Sequence, residues 1–426
     1  MKVRSLSRTG KTAALTSLFA FAASQVFAAA PLLSLDDSVA MALKNQPSVK
    51  IAAADEDKAN WGIQDAKSGL WPQLSLGASE TRGGAVQGIS DTLSTGLHLN
   101  WALYSGGRLQ GQVKQAELSA DSAKLGVQKA LADARLAATT KYFTVLQTKN
   151  MVAVNQEAVS NLTDHLQNVN AQFAAGTIAK QDVLRSEVEL ANAQQNLTKA
   201  QNSYDVAKAA LNDAIGSDLS FDYSYQDQLP FEPYTLSLED SIAMAAQNRP
   251  ELAQAQNNVT AAEVGEQIAN SGRLPTVSLT GSEGWSGKDL DLGNRNWSVG
   301  VTASWNLFDA GATKAKAAEA KAASLKAQEQ AKQQGNAVEL EVRQTYLTMN
   351  EAKQRITTSS EAAAKATEDL SIAKVKYAAG AGTNLDVIDA QLALTQAKTN
   401  ETQARYDYNV AKASLEKAVN LTVDGK

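Results

Sequence analysis

The chain carries a duplication. Leu35-Asp36-Asp37-Ser38-Val39-Ala40-Met41-Ala42 returns as Leu238-Glu239-Asp240-Ser241-Ile242-Ala243-Met244-Ala245, 203 positions later. Pro47 and Pro72 recur as Pro250 and Pro275 at the same offset, while Trp101, Tyr142, Gly176, Asp182, Tyr204 and Leu211 match Trp305, Tyr346, Gly380, Asp386, Tyr408 and Leu415 at 204. Self-similarity at a fixed offset means one structural unit used twice. The chain therefore divides into a first unit over 31–216, a joint over 217–237, a second unit over 238–420 and a tail over 421–426. The joint holds Phe221, Tyr223, Tyr225, Phe231 and Tyr234 with Pro230 and Pro233, which reads as an ordered linker packing its aromatics on its surroundings.

Residues 1–28 read as a leader, with cleavage as late as 30. Lys2, Arg4, Arg8 and Lys11 precede the apolar stretch Ala13–Ala23, and Val26-Phe27-Ala28 has the small-x-small form of a signal-peptidase site. An exported protein is expected. No later run of 18 apolar residues follows, so no helix is expected to span a membrane. A net charge of -5 argues against nucleic acid as a partner, because phosphate binding needs a basic surface. With no Cys and only His98 and His165, disulfides, thiolate or histidine metal centres and Cys or Ser-His nucleophiles have almost no material. No enzyme activity, cofactor or metal is expected.

Each unit opens with a helix signal, Ser34-x-x-Asp37 or Ser237-x-x-Asp240, in which side chains satisfy first-turn amides. Pro47 and Pro250 end that helix and suit the first turn of the next, which is expected to reach Leu70 and Leu274. Two alternating stretches follow in each unit, about 72–82 and 92–104 in the first, about 275–285 and 295–308 in the second. Leu74, Leu76 and Ala78, then Leu93, Leu97, Leu99 and Trp101, take one face; Ser75, Gly77 and Ser79, then Ser94, Gly96, His98 and Asn100, take the other. The second unit repeats this with Trp297, Val299 and Val301 against Ser298, Gly300 and Thr302. Strands of about ten residues with one apolar face, a small polar face and aromatic ends suit a transmembrane β-barrel, lipid outside and water inside. Four strands cannot close alone; two copies would fill the lumen with side chains, whereas three leave a bore.

After each strand pair comes a long helical run. Arg108 to Ala174 contains no Pro, which at 1.5 Å per residue is roughly 100 Å of helix. Val145, Val152, Val159, Leu166 and Phe173 fall seven apart, with Leu162 and Val169 three after two of them; Val183, Leu190, Leu197, Tyr204 and Leu211 are also seven apart on the returning helix, accompanied by Ala193, Ala200, Ala207 and Ala214. The second unit repeats this as Val387, Leu394, Glu401, Tyr408 and Leu415 with Ala397, Ala404, Ala411 and Ala418. This is coiled-coil patterning with an alanine seam that lets helices approach closely. Hairpins are expected over about 106–216 and 311–420, with tips near 174–182 and 378–386.

Leader, duplicated unit, strand pairs and helical hairpins together resemble the TolC family of outer-membrane channel-tunnel proteins over essentially the whole mature chain. The most specific match runs from Tyr377 through Gly380, Thr383 and Asp386 to Asp389, similar to that family's Tyr-x-x-Gly turn and Asp-Val-Leu-Asp stretch at a periplasmic hairpin tip. Phe173 to Leu184, with Gly176 and Asp182, resembles the other tip. The resemblance implies an α+β membrane protein: a homotrimer whose long coiled-coil hairpins form a periplasmic α-barrel below a twelve-stranded transmembrane β-barrel, four strands per chain, in outer-membrane lipid. It further implies a passive duct for efflux or type I secretion, opened at its tip when a periplasmic adaptor (membrane fusion) protein and an inner-membrane RND or ABC transporter dock. Gly176, Thr177, Ile178, Gly380, Ala381 and Thr383 would then be the tip contacts, and Tyr377 with Asp182 part of a tip lock. Gly382 stands where the family's Arg can sit, and Gln181 where its Thr can.

Chemistry adds to that match. Gly176 and Gly380 supply backbone on which a helix can stop and reverse. Asp386 and Asp389, three apart, share a helix face; three-fold symmetry would stack two carboxylate rings roughly 4.5 Å apart, which attract cations. Both residues equally suit ordinary first-turn acids favoured by the helix dipole. Asp289-Leu-Asp291-Leu-Gly293-Asn294 opens like a calcium loop, but Gly300 occupies the position where an EF-hand needs Glu, and a turn is expected. His165 is expected on a helix surface. Two other readings stay open: a structural outer-membrane tether with a periplasm-spanning coiled coil and no transport, and a phage or bacteriocin receptor role in the loops 83–91 and 287–294.

Overall fold

The computed structural model describes residues 31–421 apart from 86–87, 227–228 and 288–294; the leader and the calcium-loop-like segment lie outside the described residues. The order is α1 (Leu35–Asn45), α2 (Pro47–Ser68), β1 (Gln73–Ala85), β2 (Gly88–Tyr104), α3 (Arg108–Ala174), α4 (Lys180–Ala214), then α5 (Leu238–Asn248), α6 (Pro250–Ser271), β3 (Thr276–Gly287), β4 (Arg295–Ser304), α7 (Ala312–Ala378) and α8 (Asn384–Val419). Ser34 and Ser237 cap α1 and α5 by accepting from the amides of Asp37 and Asp240, and Pro47 and Pro250 begin α2 and α6. Those two helices stop at Ser68 and Ser271 rather than at the leucines before the next prolines.

The long helices form one layer. Below the equator the order is α4, α3, α8, α7, and above it α2, α3, α6, α7. Helix α2 continues the line of α4, since Asn45 Nδ2 donates to the Ile215 carbonyl. Helix α6 continues α8 through Arg249 Nη1 to the Ala418 carbonyl and Asn420 Nδ2 to that of Asn248. The alanine seams behave as the spacing predicts: Val183, Ala193, Ala200, Ala207 and Leu211 are buried on α4, and Val387, Leu394, Ala397, Ala404, Tyr408, Ala411 and Leu415 on α8. On α3 the expectation holds in part: Val145, Leu162 and Val169 of the predicted positions are buried. Val154, Ala158 and His165 are buried as well, while Val152, Val159 and Leu166 are half-buried and Phe173 is 40% exposed. Helix α3 is flanked by α4 on one side and α8 on the other, so its apolar surface is wider than one seven-residue stripe.

The joint packs on one face of this layer. Tyr225 and Leu229 are buried against Tyr142 and Leu146, Tyr408 Oη donates to the Glu232 carbonyl, and Asn409 Nδ2 donates to that of Pro230. Lys412 pairs with Glu232 at 3.0 Å.

The strands make a single antiparallel sheet, β1-β2-β3-β4, with β2–β3 joining the two units. The first hairpin is longer than predicted. Gly83 and Gly84, read as loop, continue the ladder opposite Ser90 and Ile89, since two weak strand formers hold when the partner strand is already in register. Strand β4 ends at Ser304, four residues early, where its partner β3 begins just after Pro275, which has no amide to donate. Trp305 instead donates to the Arg273 carbonyl, as Trp101 does to Leu70.

Because paired residues share a face, the register sorts the sheet into rows. Leu74–Leu99–Gly281–Val299 and Leu76–Leu97–Glu283–Trp297 lie on one side, Ser75–His98–Ser282–Ser298 and Gly77–Gly96–Gly284–Asn296 on the other. The apolar side is uncovered: Leu76, Trp297 and Val299 are 73%, 73% and 68% exposed. Its charged groups, Arg82 with Asp91 at 3.4 Å and Arg295 with Glu283, gather toward the hairpin ends. At the glycine row a Cβ on Gly96 would stand 2.9 Å from the Glu283 carbonyl oxygen, so only glycine fits.

Candidate functional site

The two hairpin tips are where the sequence placed its candidate residues. Each long helix ends in the same turn. Gly176 and Gly380 take φ of +76° and +72°, with Thr177 N bonded to the Gln172 carbonyl and Ala381 N to that of Lys376. This closes the orphan carbonyls of a helix end with the residue type that tolerates left-handed backbone. Gly176, Thr177, Gly380, Ala381 and Thr383 are exposed at the tips, and Ile178 is half-buried against the cluster beneath them.

Helix α8 restarts with a full capping box. Asp386 N donates to Thr383 Oγ1 at 3.2 Å, and Thr383 N donates to Asp386 Oδ2 at 2.8 Å. The Thr383 amide first, and the Thr383 side chain second, hold the Asp386 carboxyl below its ordinary range. Asp386 therefore has the first-turn role that its position allows, and it remains exposed, as does Asp389. Both sit in the seven-residue register of Asn400, Gln403 and Asp407, about half a turn around α8 from the joint-binding line of Asn409 and Lys412.

Beneath the tips lies a buried cluster of Val169, Val183, Leu370, Tyr377, Val387 and Leu394. Inside it is a polar knot absent from the sequence reading. Asn384 Oδ1 accepts from His165 Nε2 at 2.6 Å and from Ser186 Oγ at 3.1 Å, while Asn384 Nδ2 donates to the Asp182 carbonyl at 3.0 Å. Three helices, α3, α4 and α8, meet in one side-chain amide. With Asn384 Nδ2 committed to a carbonyl, its oxygen must accept, which fixes the proton of His165 on Nε2. His165 is 3% exposed, a correction to its expected surface position. Burial holds its basicity below the ordinary histidine value, and the Asn384 bond offsets part of that.

Tyr377 is buried and stands edge-on to His165, ring centroids 5.0 Å apart. Burial, and secondarily the charge of Asp182, push its hydroxyl's pKa up. Among the described residues that hydroxyl has no hydrogen-bond partner, so Tyr377 and Asp182 come near each other without bonding. Asp389 lies one turn farther along α8, away from the Asn384 knot. A sequence signal for the knot did exist: Lys180 of the first unit becomes Asn384 in the second, at an α8 start already provided with a cap by Thr383.

The outer membrane efflux protein family model matches residues 39–217 and 241–421, one match per unit. The chain is 26% identical over 400 residues to the outer membrane protein TolC of Salmonella enteritidis, covering 88% of this chain and 79% of that protein. It is 24% identical over 420 residues to the alkaline protease secretion protein AprF of Pseudomonas aeruginosa, covering 90% and 83%. Among solved structures, the outer-membrane channel OprN superposes with a TM-score of 0.81 at 20% identity, covering 90% of this chain and 89% of that one. With the family model spanning both units and the same helical layer and sheet in a solved channel, the chain belongs to the outer membrane efflux protein family, which places it in the outer membrane.

Proposed function

We propose that three copies of the chain close into one passive exit duct of a tripartite efflux pump or type I secretion system. The observation that carries this is a four-stranded sheet with two free edges and an uncovered apolar face. Open edges and an unpaired backbone do not persist in lipid, so the sheet must be completed by other copies. The helical layer has matching free borders, with Leu184 and Val188 exposed on α4 and Leu340, Leu347 and Val375 on α7. The joint occupies one face of the layer, and an open bore requires the other.

In that assembly Asp386 and Asp389 ring the narrow end of the tunnel, and Tyr377 and Asp182 stiffen the tip behind them. A periplasmic adaptor and an inner-membrane RND or ABC transporter act on the exposed tips, and the energy is theirs. The chain itself performs no chemistry. Detergent-solubilised protein should have about three times the mature chain's mass and conduct ions in planar bilayers; a monodisperse monomer retaining β-structure, or a trimer without conductance, would overturn the duct. Asp386→Asn with Asp389→Asn should lower cation selectivity and abolish block by trivalent cations added from the tip side. Unchanged selectivity and block would remove both residues from the gate.

A further inference from the structure

The duplication supplies a template for a contact that one chain cannot make. Below the equator the layer runs α4, α3, α8, α7, so the two hairpins meet inside the chain at a seam between α3 and α8. Residues of α3 and α4 recur in α7 and α8 at an offset of 204, which makes α7 a second α3 and α4 a second α8. The counterpart of the inner seam is therefore α7 against α4, two helices at opposite borders of the layer. Each bond across the inner seam assigns a pair of positions at those borders. Gln147 Nε2 donates to Gln403 Oε1 at 2.7 Å, and the corresponding positions are Glu351 and Lys199. His165 Nε2 and Asn384 Oδ1 are 2.6 Å apart, and the corresponding positions are Asp369 and Lys180. Above the equator Gln115 Nε2 on α3 donates to the Ala261 carbonyl on α6 at 3.1 Å. There α2 recurs as α6 at an offset of 203, and the corresponding positions are Glu319 on α7 and Lys58 on α2.

All six corresponding residues are exposed in the single chain. Where the inner seam has a contact without a charge pair, the borders have opposite charges, with the acid on α7 and the lysine on α2 or α4 each time. Apolar positions agree: Phe143 and Val410 pack in one cluster at the inner seam, and their counterparts Leu347 and Val206 are 59% and 60% exposed. Charge is not simply copied, since the inner ion pair Glu157–Lys398 corresponds to Glu361 and Gln194. We propose that a second copy of this chain seats on these borders in the register of the inner seam, so that Lys58, Lys199 and Lys180 of one copy meet Glu319, Glu351 and Asp369 of the next. This rests on the three-copy duct and adds its alignment, which residues meet and at what height. Exposed ion pairs contribute little stability, but they fix register and penalise wrong docking. Because the inner seam has no charge pair at the same three places, the two seams carry different codes, and neither border competes for the other's partner. Glu351 keeps a second bond, from Arg355 on its own helix.

The chain has no cysteine, so paired substitutions introduce the only thiols. In Lys199→Cys/Glu351→Cys and in Lys180→Cys/Asp369→Cys, a short bis-thiosulfonate reagent should link copies into covalent dimers and trimers. The crossed variants, Lys199→Cys/Asp369→Cys and Lys180→Cys/Glu351→Cys, offset the thiols by about 27 Å of helix and should lose the link. Linking that is equal in matched and crossed variants, or absent from all four, in protein of trimeric mass would overturn the register and leave the duct intact. Protein of monomeric mass would overturn the duct, and the proposal with it. The charges are tested above the equator. Lys58→Glu should lower the yield of assembled trimer about two- to fivefold at low salt, and adding Glu319→Lys should restore it. Failure of the second substitution to restore assembly would overturn the ion pairing.

Discussion

The two hairpin tips share a backbone and differ in how the helix starts again. Both turn on a left-handed glycine with the same pair of amide-to-carbonyl bonds. After the turn, α4 begins at Ala179, which has no side chain to cap with, whereas α8 begins at Thr383 with a capping box closed by Asp386. One residue further, the first tip has Lys180, whose ammonium lies 5.5 Å from the Phe173 ring centroid, and the second has Asn384, buried in the knot with His165 and Ser186. Asp182 and Arg185 of the first tip correspond to Asp386 and Asp389 of the second. Duplication thus preserved the turn, which backbone geometry demands, and left the helix starts free to diverge. The second tip became a clasp that gathers three helices, and the first became what it clasps.

The sharpest way to break this comparison is at its centre. Asn384→Leu strands the His165 N–H in an apolar site, at a cost of about 1–3 kcal/mol, enough to shift a two-state tip by one to two orders of magnitude. Lys180→Leu at the equivalent place should change almost nothing. Single-channel open fraction and amide exchange at the tips would register both; equal effects would mean that the two tips contribute alike. Capping gives the next largest difference. Thr383→Ala should cost about 1 kcal/mol of local stability, while Ala179→Ser supplies the missing acceptor and should gain somewhat less, both readable by exchange of the first-turn amides.

A smaller effect is expected from pH. His165 is less basic folded than unfolded, so the unfolded or opened tip binds the proton more readily. Its contribution is complete above the unfolded value of about 6.5 and declines as pH falls through that value, until the folded group protonates as well. Asp386, whose folded value is depressed, acts in a separate window: its contribution is present above the ordinary carboxylate range and lost as pH falls through its folded value. Corrected for the intrinsic slowing of amide exchange in acid, tip protection should therefore fall between about pH 7 and 5 in the wild type and not in His165→Gln; an identical slope in both would assign the titration elsewhere. The smallest expected difference is in charge. Arg185→Gln should modestly raise cation selectivity where Asp389→Asn lowers it, and a change of the same sign in both would show that the two exposed helix starts do not face the same water.

Much of the molecule was written in local pattern. The duplication, the Ser34 and Ser237 caps, the alternating faces of the strands, the alanine seams of α4 and α8 and the glycines of both tips follow from short-range rules: period, cap chemistry and left-handed backbone. Each of these needs only a few neighbouring residues to be decided. What failed involved partners distant in the chain. The buried surface of α3 was legible only in part, at Val145, Leu162 and Val169, because periodicity locates an apolar face and says nothing of how many neighbours share it. Gly83 and Gly84 looked like a turn until a partner strand held them in register.

The knot was the least legible part. His165 and Asn384 stand 219 positions apart, and each alone is an ordinary polar residue on a helix. Their burial became favourable only once α3, α4 and α8 had converged and every donor had an acceptor. The sequence by itself determined which segments are helices and strands, where they turn and which faces are apolar, because those follow from the energetics of single elements in water or lipid. The tertiary structure alone decided which polar residues are buried together, because the cost of burying a polar atom depends on a partner that only the assembled fold brings within about 3 Å.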